Sequence, residues 1–214
     1  FRNNGYLPES IINNLILLGW SPGKSNEFIE INEIIKSFDL NKLSKSSSIF
    51  SYKKLNFFNN YYLRKDNGIE KLIEFSNYND KFNKLISENK DKIISIFNVY
   101  KKDLENIGQI LEIVEIYLDK NFKYHQNEKF DDNFNDLFKE FYNCILNIDN
   151  WNKENIQKNI SDFLIAKNIK FPVLGKPIRF ILINSYNGPS ITDIFVILGK
   201  KDSIDRLNQY IEIN

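Results

Sequence analysis

Methionine is absent from this 214-residue chain, and cysteine and histidine each occur once. A single cysteine, Cys144, excludes an internal disulfide and a cysteine-cluster zinc site. With His125 as the one histidine there is no Cys–His dyad, and a Ser-His-Asp triad would rest on this one residue of a polar stretch. We read it as a solvated side chain. Only 8 glycines and 5 prolines are present, and no glycine-rich strand–turn–helix unit for a nucleotide phosphate is visible. Long apolar runs are missing too: Ile178 to Ile183, broken by Arg179, falls far short of a membrane span. The formal net charge is +1, so bulk electrostatics argue neither for nor against a nucleic-acid partner, and any such site must be a local patch. No signal peptide is visible. The expected class is a soluble domain of the cytoplasm, and a chain that opens on Phe1 and lacks Met is expected to be a piece of a larger protein.

What is present is apolar and aromatic material for real cores: 42% hydrophobic residues, with Phe 18 and Tyr 11. At this length one large domain or two to three small ones can form. Asn, Lys and Ile are used heavily. We read this as drift towards A/T-rich codons, so individual Asn residues are expected to carry little information. Cys144 stands on an apolar helical face and is expected to act as a small buried hydrophobe. Trp20 and Phe50 are expected in the core.

Helical periodicity dominates. Pro8 suits a first turn, and Ile11, Ile12, Leu15 and Leu18 recur at helical spacing until Gly19. Asn32 is expected to cap a short helix carrying Ile34, Ile35 and Phe38, and Ser51 to cap one whose face holds Leu55, Phe58 and Tyr62. Residues 39–50 read as a short helix and a Ser-rich loop. Further helices are expected over 69–75, 80–87, 92–101, 104–118, 131–148 and 153–167, with Trp151 packing in the turn before the last. Asp131 and Asp132 suit a helix start, where the dipole favours negative charge. Ile178 to Ile183 looks locally like a strand. The final helices are expected over 190–198, ending at Gly199, and over 201–211. With no βαβ alternation, the chain reads as all-α.

Two groups of residues carry a resemblance. Gly5-Tyr6-Leu7-Pro8-Glu9-Ser10, Leu17-Leu18-Gly19-Trp20-Ser21, Ser44-Lys45-Ser46, Phe50, Lys54-Leu55 and Tyr61-Tyr62-Leu63-Arg64 form one group. Lys176-Pro177-Ile178-Arg179, Gly188-Pro189-Ser190-Ile191, Phe195 and Leu198-Gly199-Lys200 form the other. The first resembles the part of bacterial glutamyl-tRNA synthetases that follows their catalytic Lys-Met-Ser-Lys-type loop. The second resembles the close of the same family's anticodon-binding region. The resemblance implies a helical stem-contact region over 1–66 and two helical anticodon-binding domains over 67–124 and 125–214. It also makes the run from Ile178 to Ile183 helical.

By this resemblance, Arg179 would contact anticodon bases, beside the turn of Gly188, Pro189, Ser190 and Ile191, with Pro189 and Ile191 offering apolar surface. Single-stranded bases are read by stacking and by hydrogen bonds to their edges, and an arginine can do both. From residue type alone, an ion pair with a helix acid such as Asp193 or Asp205 is favoured for Arg179 over RNA contact, and the resemblance reverses that preference. Tyr100, with Lys101 and Lys102, stands where some family members read a further base through an arginine, and Ser161 stands where the family often has another. These departures allow relaxed recognition of both glutamate and glutamine tRNAs. Lys42, Lys45, Lys53, Lys54 and Arg64 would hold the tRNA backbone, which positions RNA without reading its sequence.

Ser44-Lys45-Ser46 looks like the element with which class I synthetases hold ATP phosphates. The true signature would lie outside this chain, so no catalytic residue and no metal ligand is assigned. The implied parent is a glutamate–tRNA ligase that uses ATP and Mg²⁺ through a glutamyl-adenylate. This part would bind tRNA as a monomer, without cofactor, DNA or membrane. The rivals are a helical protein–protein adaptor without RNA affinity and another synthetase of the same class.

Overall fold

The computed structural model describes residues 1–20, 27–44, 48–125, 130 and 132–213. Among them the regular elements are helical, and the β-type pairing is an isolated antiparallel bridge between Trp20 and Leu43. The helices are Pro8–Gly19 (α1), Ile31–Ser37 (α2), Tyr52–Leu63 (α3), Gly68–Ser76 (α4), Asp80–Tyr100 (α5), Gln109–Leu118 (α6), Asp132–Leu146 (α7), Lys153–Ala166 (α8), Phe171–Ile183 (α9) and Ile191–Ile213 (α10). They form two compact units, Phe1–Ile113 and Val114–Asn214. The first unit takes in the expected stem-contact region and most of the expected first anticodon-binding domain.

The first unit is organised around α3. Its Ser51 cap accepts a hydrogen bond from the Lys54 amide, and Leu55, Phe58 and Tyr62 are buried on one face, as the spacing predicts. The Gly-Tyr-Leu-Pro segment is built for close contact with the turn before α6. Gly5 adopts φ 78, and a Cβ there would lie 2.3 Å from the Gly108 nitrogen. Its carbonyl accepts the Ile107 amide at 3.1 Å. Pro8 then occupies the first turn of α1, where a missing N–H costs nothing. Asn59, fully buried on α3, accepts the amide of Leu7 at 2.8 Å and donates to the Glu105 carbonyl at 2.7 Å. Asn13 donates to the Glu27 carbonyl and accepts the Ile29 amide. These asparagines are therefore specific cross-links, contrary to the compositional reading.

Glu30 holds the N-cap position of α2 without a side-chain cap hydrogen bond, and Asn32 lies exposed in the first turn of that helix. The expected break between the helices 80–87 and 92–101 is present as a kink within α5 at Asn89, whose φ −136 and ψ 32 are not helical. The helix expected from 104 begins only at Gln109, because residues 104–108 make the turn that meets Gly5.

The second unit packs α7, α8, α9 and α10 around Phe141, Ile145, Ile156, Leu174, Ile178, Ile181, Ile194 and Phe195, all fully buried. Asp131 lies outside the described residues, and α7 begins at Asp132. The run Ile178 to Ile183 is helical, and α9 accommodates Pro177. That proline leaves the Val173 carbonyl without its helical donor, at an exposed residue where water can serve. Gly199, at φ 80 and ψ 167, breaks α10 as expected. Trp151 packs edge-on against Phe195 and donates to its carbonyl at 3.0 Å. Cys144 is half-buried, and burial, followed by nearby Asp162, raises its pKa.

Candidate nucleic-acid interface

Helix α9 ends at Asn184, which takes the left-handed conformation at φ 53 and closes the helix by donating its amide to the Phe180 carbonyl. The chain then makes an irregular loop to Ser190. Ser190 caps α10: its Oγ accepts the Asp193 amide at 3.1 Å and donates to the Asp193 carboxylate at 2.7 Å. Between them, Ser185 Oγ donates to the Asn187 carbonyl and accepts the Asn187 amide. Gly188 takes φ 140, a conformation that favours glycine.

Arg179, one turn before the end of α9, spans this loop. Its Nε donates to the Pro189 carbonyl at 3.0 Å and its Nη1 to the Tyr186 carbonyl at 2.8 Å. The ion pair that residue type allowed is not formed. Asp193 is taken by Lys153 at 2.7 Å and Asp205 by Lys201 at 2.6 Å. For Asp193, burial works to raise its pKa, but the hydrogen bonds from Lys153 and Ser190 outweigh it and hold the carboxyl below its ordinary value. Among the described residues, Nη2 of Arg179 has no hydrogen-bond partner. The guanidinium thus fixes the loop through Nε and Nη1, which leaves its Nη2 N–H groups without a partner among the described residues.

Arg179, Gly188, Pro189 and Ser190 come together at this loop, with Gly188 and Ser190 exposed and Pro189 half-buried. Ile191 does not share their role. It is fully buried beneath them and offers core packing instead of the apolar surface expected of it. Tyr186, which the sequence did not single out, is exposed beside the loop and stacks on Phe180. Ser161 is exposed on α8.

The remaining candidates lie in the first unit. Tyr100 is buried, so its ring would have to leave the core to stack on a base. Lys101 and Lys102 follow it at the end of α5, and their carbonyls accept from Asn60. Arg64, which follows α3 as its C-cap, donates from Nη2 to the Lys102 carbonyl at 2.7 Å, so a basic side chain at the end of α3 is tied to this turn. Lys53 on α3 and Lys42 in a 3-10 turn are exposed. Lys54 is paired with Glu27 at 2.9 Å. Lys45 lies outside the described residues. Among the described residues, no group of three or more His, Cys, Asp or Glu side chains is placed to hold a metal ion. No described helix is long and apolar enough to cross a membrane.

A family model described as the anticodon binding domain matches residues 69–211. A second, for the catalytic domain of class I tRNA synthetases (E and Q), matches residues 1–57. A glutamate–tRNA ligase of Mycoplasma capricolum is 33% identical over 97% of this chain and 44% of its own length. One from Flavobacterium johnsoniae is 26% identical over 99% of this chain and 42% of its own. The chain therefore spans less than half the length of these curated relatives. The crystal structure of a glutamate tRNA ligase from Elizabethkingia meningosepticum, in complex with its amino acid, superimposes with a TM-score of 0.79 at 28% identity, covering 97% of this chain and 41% of that one.

Proposed function

The chain belongs to the anticodon-binding-domain family, and from that premise we propose that it is the tRNA-selecting portion of a cytoplasmic glutamate–tRNA ligase. The observation that carries the proposal is Arg179 fixing the turn of Gly188, Pro189 and Ser190 while keeping Nη2 unbonded. A single-stranded anticodon base can accept from that N–H and lie against the loop. The fixed loop means that little conformational freedom is lost when RNA binds.

In the parent enzyme, ATP and Mg²⁺ would form the glutamyl-adenylate in the catalytic domain, only a part of whose family model is matched here. We place neither on this chain's residues. Lys42, Lys53 and Arg64 would contact phosphates, which adds affinity and salt dependence without sequence preference. Lys54 would have to exchange its contact with Glu27 for a phosphate. Glutamate tRNA is the proposed partner of a monomer, with glutamine tRNA admitted by the losses at Ser161 and Tyr100. The adaptor reading finds no support in the relatives above, which are named as glutamate–tRNA ligases.

Replacing Arg179 with Ala should weaken binding of the cognate tRNA by about 1–3 kcal/mol. Arg179→Lys should recover only part of this, because a lysine cannot hold two carbonyls and a base edge together. Gel-shift or fluorescence titration measures both, and unchanged affinity in both variants would remove Arg179 from the site.

A further inference from the structure

Beside Arg179, the loop carries a half-exposed aromatic ring whose position is set by other residues. Tyr186 is 37% exposed. Its ring stacks on Phe180, with centroids 4.6 Å apart and planes 27° from parallel. Phe180 is itself buried and is met edge-on by Tyr124 at 6.0 Å and Phe130 at 6.3 Å. The Tyr186 backbone is held by Nη1 of Arg179. The ring is therefore fixed from below by stacking and at its base by a charge-assisted hydrogen bond.

An exposed aromatic held in this way loses little entropy on engaging a flat ligand, and every nucleobase has a π-face to offer. The same arginine that positions the ring also keeps Nη2 for a base edge. We infer that Tyr186 is a stacking platform for an unpaired base of the bound RNA loop, working as one unit with Arg179. This rests on the proposed RNA-binding function and adds to it a contact residue of the loop. A neighbouring protein chain is a poorer occupant, because one ring and one guanidinium edge present little apolar area.

The test uses this chain and a synthetic RNA hairpin whose loop holds the glutamate anticodon, with a fluorescent purine analogue at one loop position in turn. Stacking on the tyrosine should quench the analogue at one position. Tyr186→Phe should keep both affinity and quenching, since the π-face remains. Tyr186→Leu, which keeps apolar bulk, and Tyr186→Ala should each weaken binding about ten-fold and abolish the quenching. Circular dichroism and thermal melting confirm that each variant is folded. If the parent chain binds and the Leu and Ala variants bind and quench equally well, the platform is disproved while the RNA-binding function stands. If the parent chain binds no RNA, the function and the platform fall together.

Discussion

At the scale of single residues, Arg206 and Arg179 do opposite work. Arg206 is buried, with its guanidinium centre 3.9 Å from the centroid of the Phe122 ring. It donates to the carbonyls of Leu182 at 2.6 Å and Ile116 at 2.7 Å, near the C-terminal ends of α9 and α6. Helix C-termini carry partial negative charge and unsatisfied carbonyls, so they help to partner a buried cation. Burial pushes the pKa of Arg206 down to about 10, with Asp202 and Asp119 opposing, which still leaves it charged at neutral pH. Arg206→Leu should destabilise the fold by about 2–4 kcal/mol, since each orphaned buried acceptor costs about 1–3 kcal/mol. Urea denaturation checks this, and RNA affinity of the folded fraction should stay the same. Arg179 was legible as a special residue because it interrupts an apolar run. Arg206 and Tyr186 were not, because their significance comes from partners far along the chain or from exposure that only the fold reveals.

Among the elements, α1 is held by a charge pair that gives the first unit a pH signature. Lys71 is buried on α4, and its Nζ lies 2.9 Å from the Glu9 carboxylate. Burial acts to raise the Glu9 pKa, but the Lys71 hydrogen bond and its own backbone amide outweigh it, so the pKa is lowered. A carboxyl with a lowered folded pKa stabilises the fold above its unfolded pKa, and this is lost as pH falls through the folded value. Glu9→Gln should therefore lower the denaturation midpoint at neutral pH, and the gap to the parent chain should close below the ordinary carboxylate range. A gap that persisted in acid would refute the pair's contribution. Helix positions were largely readable from period, caps and the stops at Gly19 and Gly199. The exceptions have tertiary causes: the turn before α6 is dictated by Gly5, and the strand-like run from Ile178 to Ile183 is helical within a helical core. The network through Asn13 and Asn59 was hidden by a composition rich in asparagine.

For the whole molecule, a net charge of +1 means that RNA affinity must come from local contacts. Placing Lys53, Arg64 and the Arg179 loop on the fold gives each a structural setting that spacing alone did not. The structure divides the chain into two compact units, residues 1–113 and 114–214, and the finer division into three regions rests on the resemblance. Within the first unit, the hydrogen bonds from Asn59 and Asn60 to the turn before α6 are long-range and have no local signal. The most direct test of the proposed role is binding of this chain to glutamate tRNA, glutamine tRNA and an unrelated tRNA across a salt series. The account predicts salt-sensitive binding that favours glutamate tRNA over the unrelated one, with glutamine tRNA bound comparably if recognition is relaxed. Equal affinity for all three, or no binding at low salt by the folded chain, would contradict it.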